Sequence, residues 1–316
     1  MSERTLPFQG LRVLLMIGIV CMHTYYRYIF GGGKDLVPFW FVLSGFLYRD
    51  KQLWFPYMKK KILSIYPFYL FILVCSIFIC ILRGRFIFDY NIVTNLLMLN
   101  SWPIFKSQSY VGASWFVASL LWCYALSPFI YKHIRKVVGK DNWLGVILCL
   151  SAIVLLQSVP QDISSLWDWM TYSNPLYCFI EYLTGMFLWN AIKDSEYRKS
   201  PNEWIMGGVI IIYFVCIYFQ IFKGNSPILH LMIIGVIYSY KSKVINCLLA
   251  NKKIVWLAQY IFFVLLSHMS LTNNLTRGHV TEEYYWLLVI NDFFVGTVLG
   301  VLYNKTVGIW IKKHLI

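Results

Sequence analysis

Ten apolar stretches recur along this 316-residue chain, at residues 10–30, 36–49, 61–83, 113–132, 142–159, 173–192, 203–222, 227–241, 254–273 and 284–305. A helix needs about 20 mostly apolar residues to cross the hydrocarbon core of a bilayer, and most of these runs have that length. Lipid offers no partner to a backbone N–H or C=O, so a spanning segment must satisfy its own polar groups. The helix does so within one segment. Composition points the same way. With 59% apolar and only 13% charged residues, the chain carries about half the charged share of a soluble domain, too little to cover a water-soluble globule. Intrinsic disorder is excluded by the same hydrophobicity. The expected class is an all-α polytopic membrane protein of about ten transmembrane helices. The apolar run after Leu11 is too long for a signal-peptide core, and no A-x-A-like site follows it. It is expected to be the first span, with no cleavage.

A net charge of +14 would suit nucleic-acid binding, but the basic residues sit in short clusters between apolar runs, as in the cytoplasmic loops of membrane proteins. With the N-terminus placed inside, 21 lysines and arginines fall on inner segments and 7 on outer ones. Both termini are therefore expected in the cytoplasm, and no nucleic-acid partner is expected. No period of 20–50 residues repeats, so residues 1–316 read as a single transmembrane domain. The longest outer segment, 84–112, is aromatic and polar (Tyr90, Trp102, Tyr110), and its stretch 91–100 is expected to form an interfacial or re-entrant helix. The eight cysteines lie in or beside apolar runs without CxxC or zinc-ligand spacing; neither a metal site nor a disulfide framework is expected.

Ionisable residues inside spans are costly and by default suggest function. The first span carries Arg12, His23 and Arg27. Eleven residues are close to three helical turns, so Arg12 and His23 point the same way, about 16 Å apart along the axis. Arg27, four residues on, shares that face. A guanidinium near the inner surface suits phosphates, and an imidazole deeper in the span suits a general base. The alternative is a snorkelling arginine and a hydrogen-bonded core histidine. Ser44 and Gly45, in PFWFVLSGFLYRD, are expected to permit close helix approach or a helix break. Lys59, Lys60 and Lys61 would attract either an anionic cofactor or anionic lipid headgroups. Glu181, His230, His268 and Asp292 are the other candidates. Glu181 stands mid-span with no local cation, and Asp292 lies near an outer end where solvent would satisfy it. No phosphate-binding loop, HExxH or GxSxG motif is present.

Several segments together carry a resemblance. GLRVLLMIGIVCMH (10–23) places an Arg eleven residues before a His. PFWFVLSGFL (38–47), KKILSIYPFY (60–69), SWFVASLLWCYALSP (114–128), YLTGMFLW (182–189) and AQYIFFVLLSH (258–268) follow in order. The chain thus resembles the acyltransferase-3 family of integral membrane O-acyltransferases, as a stand-alone domain. It departs from the usual pattern at Gln9, Val13 and Ser64.

The resemblance implies ten spans, with Arg12 and His23 as the catalytic pair, and His268 gains a family counterpart. The function it implies is acyl transfer, expected to be acetyl transfer, from cytoplasmic acetyl-CoA to a hydroxyl of a cell-surface glycan or its lipid-linked precursor. The setting would be a bacterial cytoplasmic membrane. Arg12, Lys59, Lys60, Lys61 and Tyr66 would hold the acyl-CoA donor. Arg27, Glu181, Trp115, Phe116 and His268 would bind substrate, with packing as the competing role for Trp115 and Phe116. Membrane lipids are the other expected partner. A transporter or flippase for a glycan or amphiphile is the alternative reading, and a subunit of a polysaccharide export machine a third.

Overall fold

The computed structural model describes residues 6–23, 36–48, 53–84, 89–102, 109–139, 141–158, 174–194, 202–219, 221, 227–238, 242–273 and 284–315. Regular structure in them is helical throughout: α1 Leu6–His23, α2 Val37–Phe46, α3 Trp54–Leu82, α4 Asn91–Leu96, α5 Ser114–Val138, α6 Asn142–Ser158 and α7 Pro175–Asp194. They are followed by α8 Glu203–Tyr218, α9 Pro227–Tyr238, α10 Lys243–Leu249, α11 Lys252–Ala258 and α12 Ile261–Ser267. A π-helical turn His268–Asn273 then leads to α13 Tyr285–Lys305 and α14 Val307–His314. Each of the ten apolar stretches contains a helix. Among the described residues, four are long and apolar enough to cross a membrane: α1, α3, α5 and the stretch Trp286–Ile311. A fifth is added if Lys252–Ala258 and Ile261–Leu271 make one broken span. The helices at 37–46, 142–156, 203–218 and 228–237 are apolar but shorter.

Local chemistry sets several of these ends. Asn202, Ser242 and Asn251 each accept a backbone N–H in the first turn of α8, α10 and α11, satisfying donors a helix start leaves orphaned. Pro38 occupies the first turn of α2, where its missing N–H costs nothing. Gly84 and Gly139 follow α3 and α5 with φ of 63° and 67°, the left-handed conformation that ends helices with little strain when the residue is glycine.

The chain divides into two compact units. The first comprises residues 1–50, 126–172 and 176–259. Helix α2 is buried along all ten residues, which explains how so short an apolar helix is accommodated: protein surrounds it. A Cβ on Gly45 would collide with the Tyr182 carbonyl of α7, and one on Gly185 with the Val42 carbonyl of α2. The Ser44–Gly45 segment thus permits close backbone approach, as its small residues suggested. Phe46 packs between Phe8 of α1 and Trp189 of α7, with ring centroids 5.2 and 5.3 Å away. Phe39 meets Tyr213 of α8 edge-on at 5.6 Å.

The second unit comprises residues 51–125, 173–175 and 260–316. Phe68 of α3 stands 4.5 Å from Phe263 of α12 and 5.5 Å from Tyr303 of α13, by ring centroids. Gly296 and Gly300 let α13 lie against Val264 and Phe263 without room for a side chain. The expected outer-segment helix falls at α4. It is inside out: Asn91, Thr94 and Asn95 are buried, while Val93, Leu96 and Leu97 are exposed. Tyr66 and Tyr69 of α3 donate their hydroxyls to the carbonyls of Leu96 and Asn95, at 2.6 and 2.7 Å, taking up acceptors that the end of a helix leaves open.

Candidate functional site

In the first unit the stripe begins at Arg12. Its Nη1 donates to Gln9 Oε1 at 3.3 Å, and its guanidinium carbon lies 6.0 Å from the Trp40 ring centroid. A glutamine at position 9 thus supplies a neutral acceptor one turn before the arginine. His23 is the last residue of α1, and both side chains are partly exposed. The exposed apolar residues of this helix are Leu14 and Ile17. At 100° per residue, His23 lies about 20° from Arg12 around the axis, whereas Leu14 and Ile17 lie about 160° and 140° away. The Arg12–His23 stripe is therefore on the side opposite the apolar surface, and faces the protein. Arg27, placed on the same stripe by its spacing, lies outside the described residues.

Glu181 of α7 and His230 of α9 form a pair, Oε1 to Nε2 at 3.2 Å. They are 2% and 1% exposed, so each provides the other with a polar partner in the apolar interior. Glu181 lacked a local cation in the sequence because its partner comes from a helix 49 residues away.

The remaining candidates belong to the second unit. Lys59 and Lys60 are exposed. Lys61 differs: its Nζ sits 4.2 Å from the ring centroid of Tyr124 and 5.5 Å from that of Tyr57, a cation–π arrangement. The three adjacent lysines are therefore not equivalent. Tyr66, grouped with them as a cofactor contact, has its hydroxyl committed to the Leu96 carbonyl. Phe116 is buried and Trp115 partly so, and their rings meet edge-on at 6.1 Å.

His268 is fully buried and opens the π-helical turn. Its Nδ1 lies 2.8 Å from the Leu265 carbonyl and 3.2 Å from that of Val264. Carbonyls only accept, so Nδ1 carries the proton, and in the neutral ring Nε2 is the basic nitrogen. π-Helical turns inside α-helices recur at functional sites. Asp292, expected to be satisfied by solvent, is instead fully buried; the packing of α13 against α12 and the π turn draws it into the unit.

Sequence reasoning named Trp102 and Tyr110 in the outer segment but gave no role to the asparagines and serines of a polar cluster around α4. Asn95 is fully buried; its amide nitrogen donates to the Asn91 carbonyl at 2.8 Å, and its Oδ1 accepts the Tyr110 backbone N–H at 3.2 Å. Asn100 donates to Ser114 and, at 3.4 Å, to Ser109. The available signal was compositional: asparagine and serine are dense in a segment that an apolar chain would otherwise leave greasy.

A protein-family model described as an acyltransferase domain, that of the acyltransferase-3 family, matches residues 8–305. No curated protein and no solved structure matches the chain.

Proposed function

We propose a specific reaction for this chain, which belongs to the acyltransferase-3 family and is a membrane acyltransferase. The reaction is transfer of an acyl group, acetyl foremost, from a cytoplasmic acyl-CoA to a hydroxyl of a cell-surface glycan or its lipid-linked precursor. The setting is a bacterial cytoplasmic membrane, crossed ten times with both termini inside. The inner excess of basic residues and the presence of a helix in every apolar stretch support that topology. Family membership favours an enzyme over a transporter.

One observation carries the mechanism: Arg12 and His23 share the face of α1 turned away from its exposed apolar residues. A charged group directed at lipid would have only an anchoring role. On the inward face, Arg12 offers a forked cation to CoA phosphates; the exposed ammonium groups of Lys59 and Lys60, in the second unit, are separate candidates for an anionic contact. The pantetheine arm is flexible and about as long as the 16 Å helical rise between Arg12 and His23, which brings the thioester to the imidazole.

There His23 takes the proton of the acceptor hydroxyl as its oxygen bonds to the thioester carbonyl carbon. The C–S bond breaks, the thiolate leaves, and the proton passes from the imidazolium to sulfur, giving ester and free CoA. General-base assistance of this kind contributes about 10²–10⁴-fold. Arg27, Trp115, Phe116 and His268 are the acceptor and acyl contacts of this reading, and Glu181, paired with His230, is assigned to holding α7 against α9.

The test is direct. Purified full-length protein in lipid nanodiscs is given radiolabelled acetyl-CoA and a panel of glycosides. Radiolabelled ester on a glycoside, lost in His23→Ala, is the expected result. Ester formation undiminished in His23→Ala would overturn the role of that residue. Failure with acetyl-, propionyl- and succinyl-CoA alike would overturn the assigned donor.

A further inference from the structure

The cluster around α4 contains three consecutive residues with a buried polar atom that meets no hydrogen-bond partner among the described residues: Asn100 Oδ1, Ser101 Oγ and the Trp102 indole N–H. Ser101 is fully buried and Asn100 is 9% exposed. An unsatisfied buried polar atom costs about 1–3 kcal/mol, so three in succession are a concentrated expense. They follow Met98, whose φ of 53° is left-handed and unusual for a non-glycine residue. Strain and unmet hydrogen bonds thus fall on the same short turn, the pairing expected where a binding function outweighs stability.

The chemistry of the turn is neutral and mixed. It offers one acceptor, one hydroxyl that can donate or accept, and one donor. Trp102 and Trp122 stand edge-on with centroids 5.3 Å apart. Hydrogen bonds tie the turn to the surface, where exposed Ser109 contacts Asn100 and Ser114. Alternating donors and acceptors beside indole rings match the vicinal hydroxyls and apolar C–H face of a pyranose. A phosphate or carboxylate would ask for a cation, and an acyl chain would ask for no polar atoms.

We propose that Asn100, Ser101 and Trp102 form a subsite for an uncharged sugar unit of the acceptor. This deepens, and rests on, the glycan-acceptor reading above. Ser101 and Trp102 are specificity-determining residues that grip hydroxyls remote from the one acylated.

The experiment uses full-length protein in nanodiscs and titrates methyl pyranosides of glucose, galactose, mannose and N-acetylglucosamine, with binding read by saturation-transfer NMR in the absence of acyl-CoA. Ser101→Ala and Trp102→Phe each remove one orphaned atom. Each is expected to weaken the preferred pyranoside about tenfold, the effect of losing a site's hydrogen bond to a ligand hydroxyl. The thermal midpoint should hold or rise, because the lost atom has no partner among the described residues, and acetyl-CoA affinity should not change. A structural role would instead lower the midpoint together with binding, and that result overturns the proposal. Unaltered pyranoside binding in both variants would mean that the turn holds water only; it overturns the subsite and leaves the glycan reading standing. Absence of pyranoside binding to the unmodified protein would overturn both.

Discussion

Helix α1 and the α7–α9 pair both carry ionisable side chains into apolar surroundings, but they resolve the cost differently. Glu181 and His230 face each other at 3.2 Å and are almost wholly sealed. Arg12 and His23 keep part of their surface accessible, on the inward face of a helix whose opposite side is apolar. A sealed acid–imidazole pair is met within the protein and need meet no substrate. A reacting group has to be reached. The general expectation that a buried charge marks function therefore divides here. It favours the accessible stripe for chemistry and the sealed pair for holding α7 against α9.

The widest separation between the two regions should come from His23→Ala and Glu181→Ala. Loss of His23 is expected to lower acyl-transfer turnover by about 10²–10⁴-fold with the thermal midpoint unchanged, measured on the same nanodisc preparation. Loss of Glu181 takes the carboxylate from beside a buried imidazole, and removing one member of such a pair typically costs about 3–5 kcal/mol. The expected signature is a large fall in thermal stability, read by circular dichroism. Replacing both members by leucine should recover most of it, because exchanging a buried pair for apolar side chains is often neutral. If the double variant regains stability but not turnover, Glu181 belongs to the chemistry after all, and the division drawn here fails.

How much of this was legible in the sequence follows from the range of each interaction. The α1 stripe lies within one helix, so helical spacing alone predicted that Arg12 and His23 share a face. The close approach at Gly45 is one of the two uses expected of the small pair Ser44–Gly45, the other being a helix break, and the contact with α7 decides between them. The partner of Glu181 could not be anticipated, since it depends on how α7 meets α9 and no local period encodes that. Asp292 differs from expectation for a related reason: nearness to a span's outer end suggests solvent access, whereas α12 and the π turn pack against its helix. The inside-out α4 was half visible. Its asparagines were plain in the sequence, but their inward direction depends on Tyr66 and Tyr69 reaching across from α3.

Arg12 sharpens the comparison from the cofactor side. Arg12→Ala should weaken acetyl-CoA binding by about tenfold to a hundredfold, the range for a hydrogen bond to a charged group, with turnover at saturating donor largely retained. Titration calorimetry measures the first and a saturation curve the second. Arg12→Lys should recover only part of the affinity, because an ammonium cannot reproduce the planar fork a phosphate engages. Unchanged affinity in Arg12→Ala would reduce the residue to an anchor and leave His23 as the only functional member of the stripe.

The smallest effects concern the three lysines, which the structure distinguishes and the sequence does not. Lys59 and Lys60 extend into solvent, where a phosphate can meet them but salt screens the attraction, with a Debye length of about 10 Å at 0.1 M. Lys59→Ala and Lys60→Ala should each weaken acetyl-CoA binding a few-fold at low ionic strength, and the difference should fade in higher salt. Lys61 already spends its charge on the faces of Tyr124 and Tyr57. Lys61→Ala should therefore leave donor affinity nearly unchanged and instead cost about 0.5–1 kcal/mol of stability, the strength of an exposed cation–π contact. A loss of affinity at Lys61 equal to that at its neighbours would show that the ammonium leaves the rings when the donor binds. The tyrosine pair would then be a resting place for a mobile phosphate ligand, and not a fixed brace between α3 and α5.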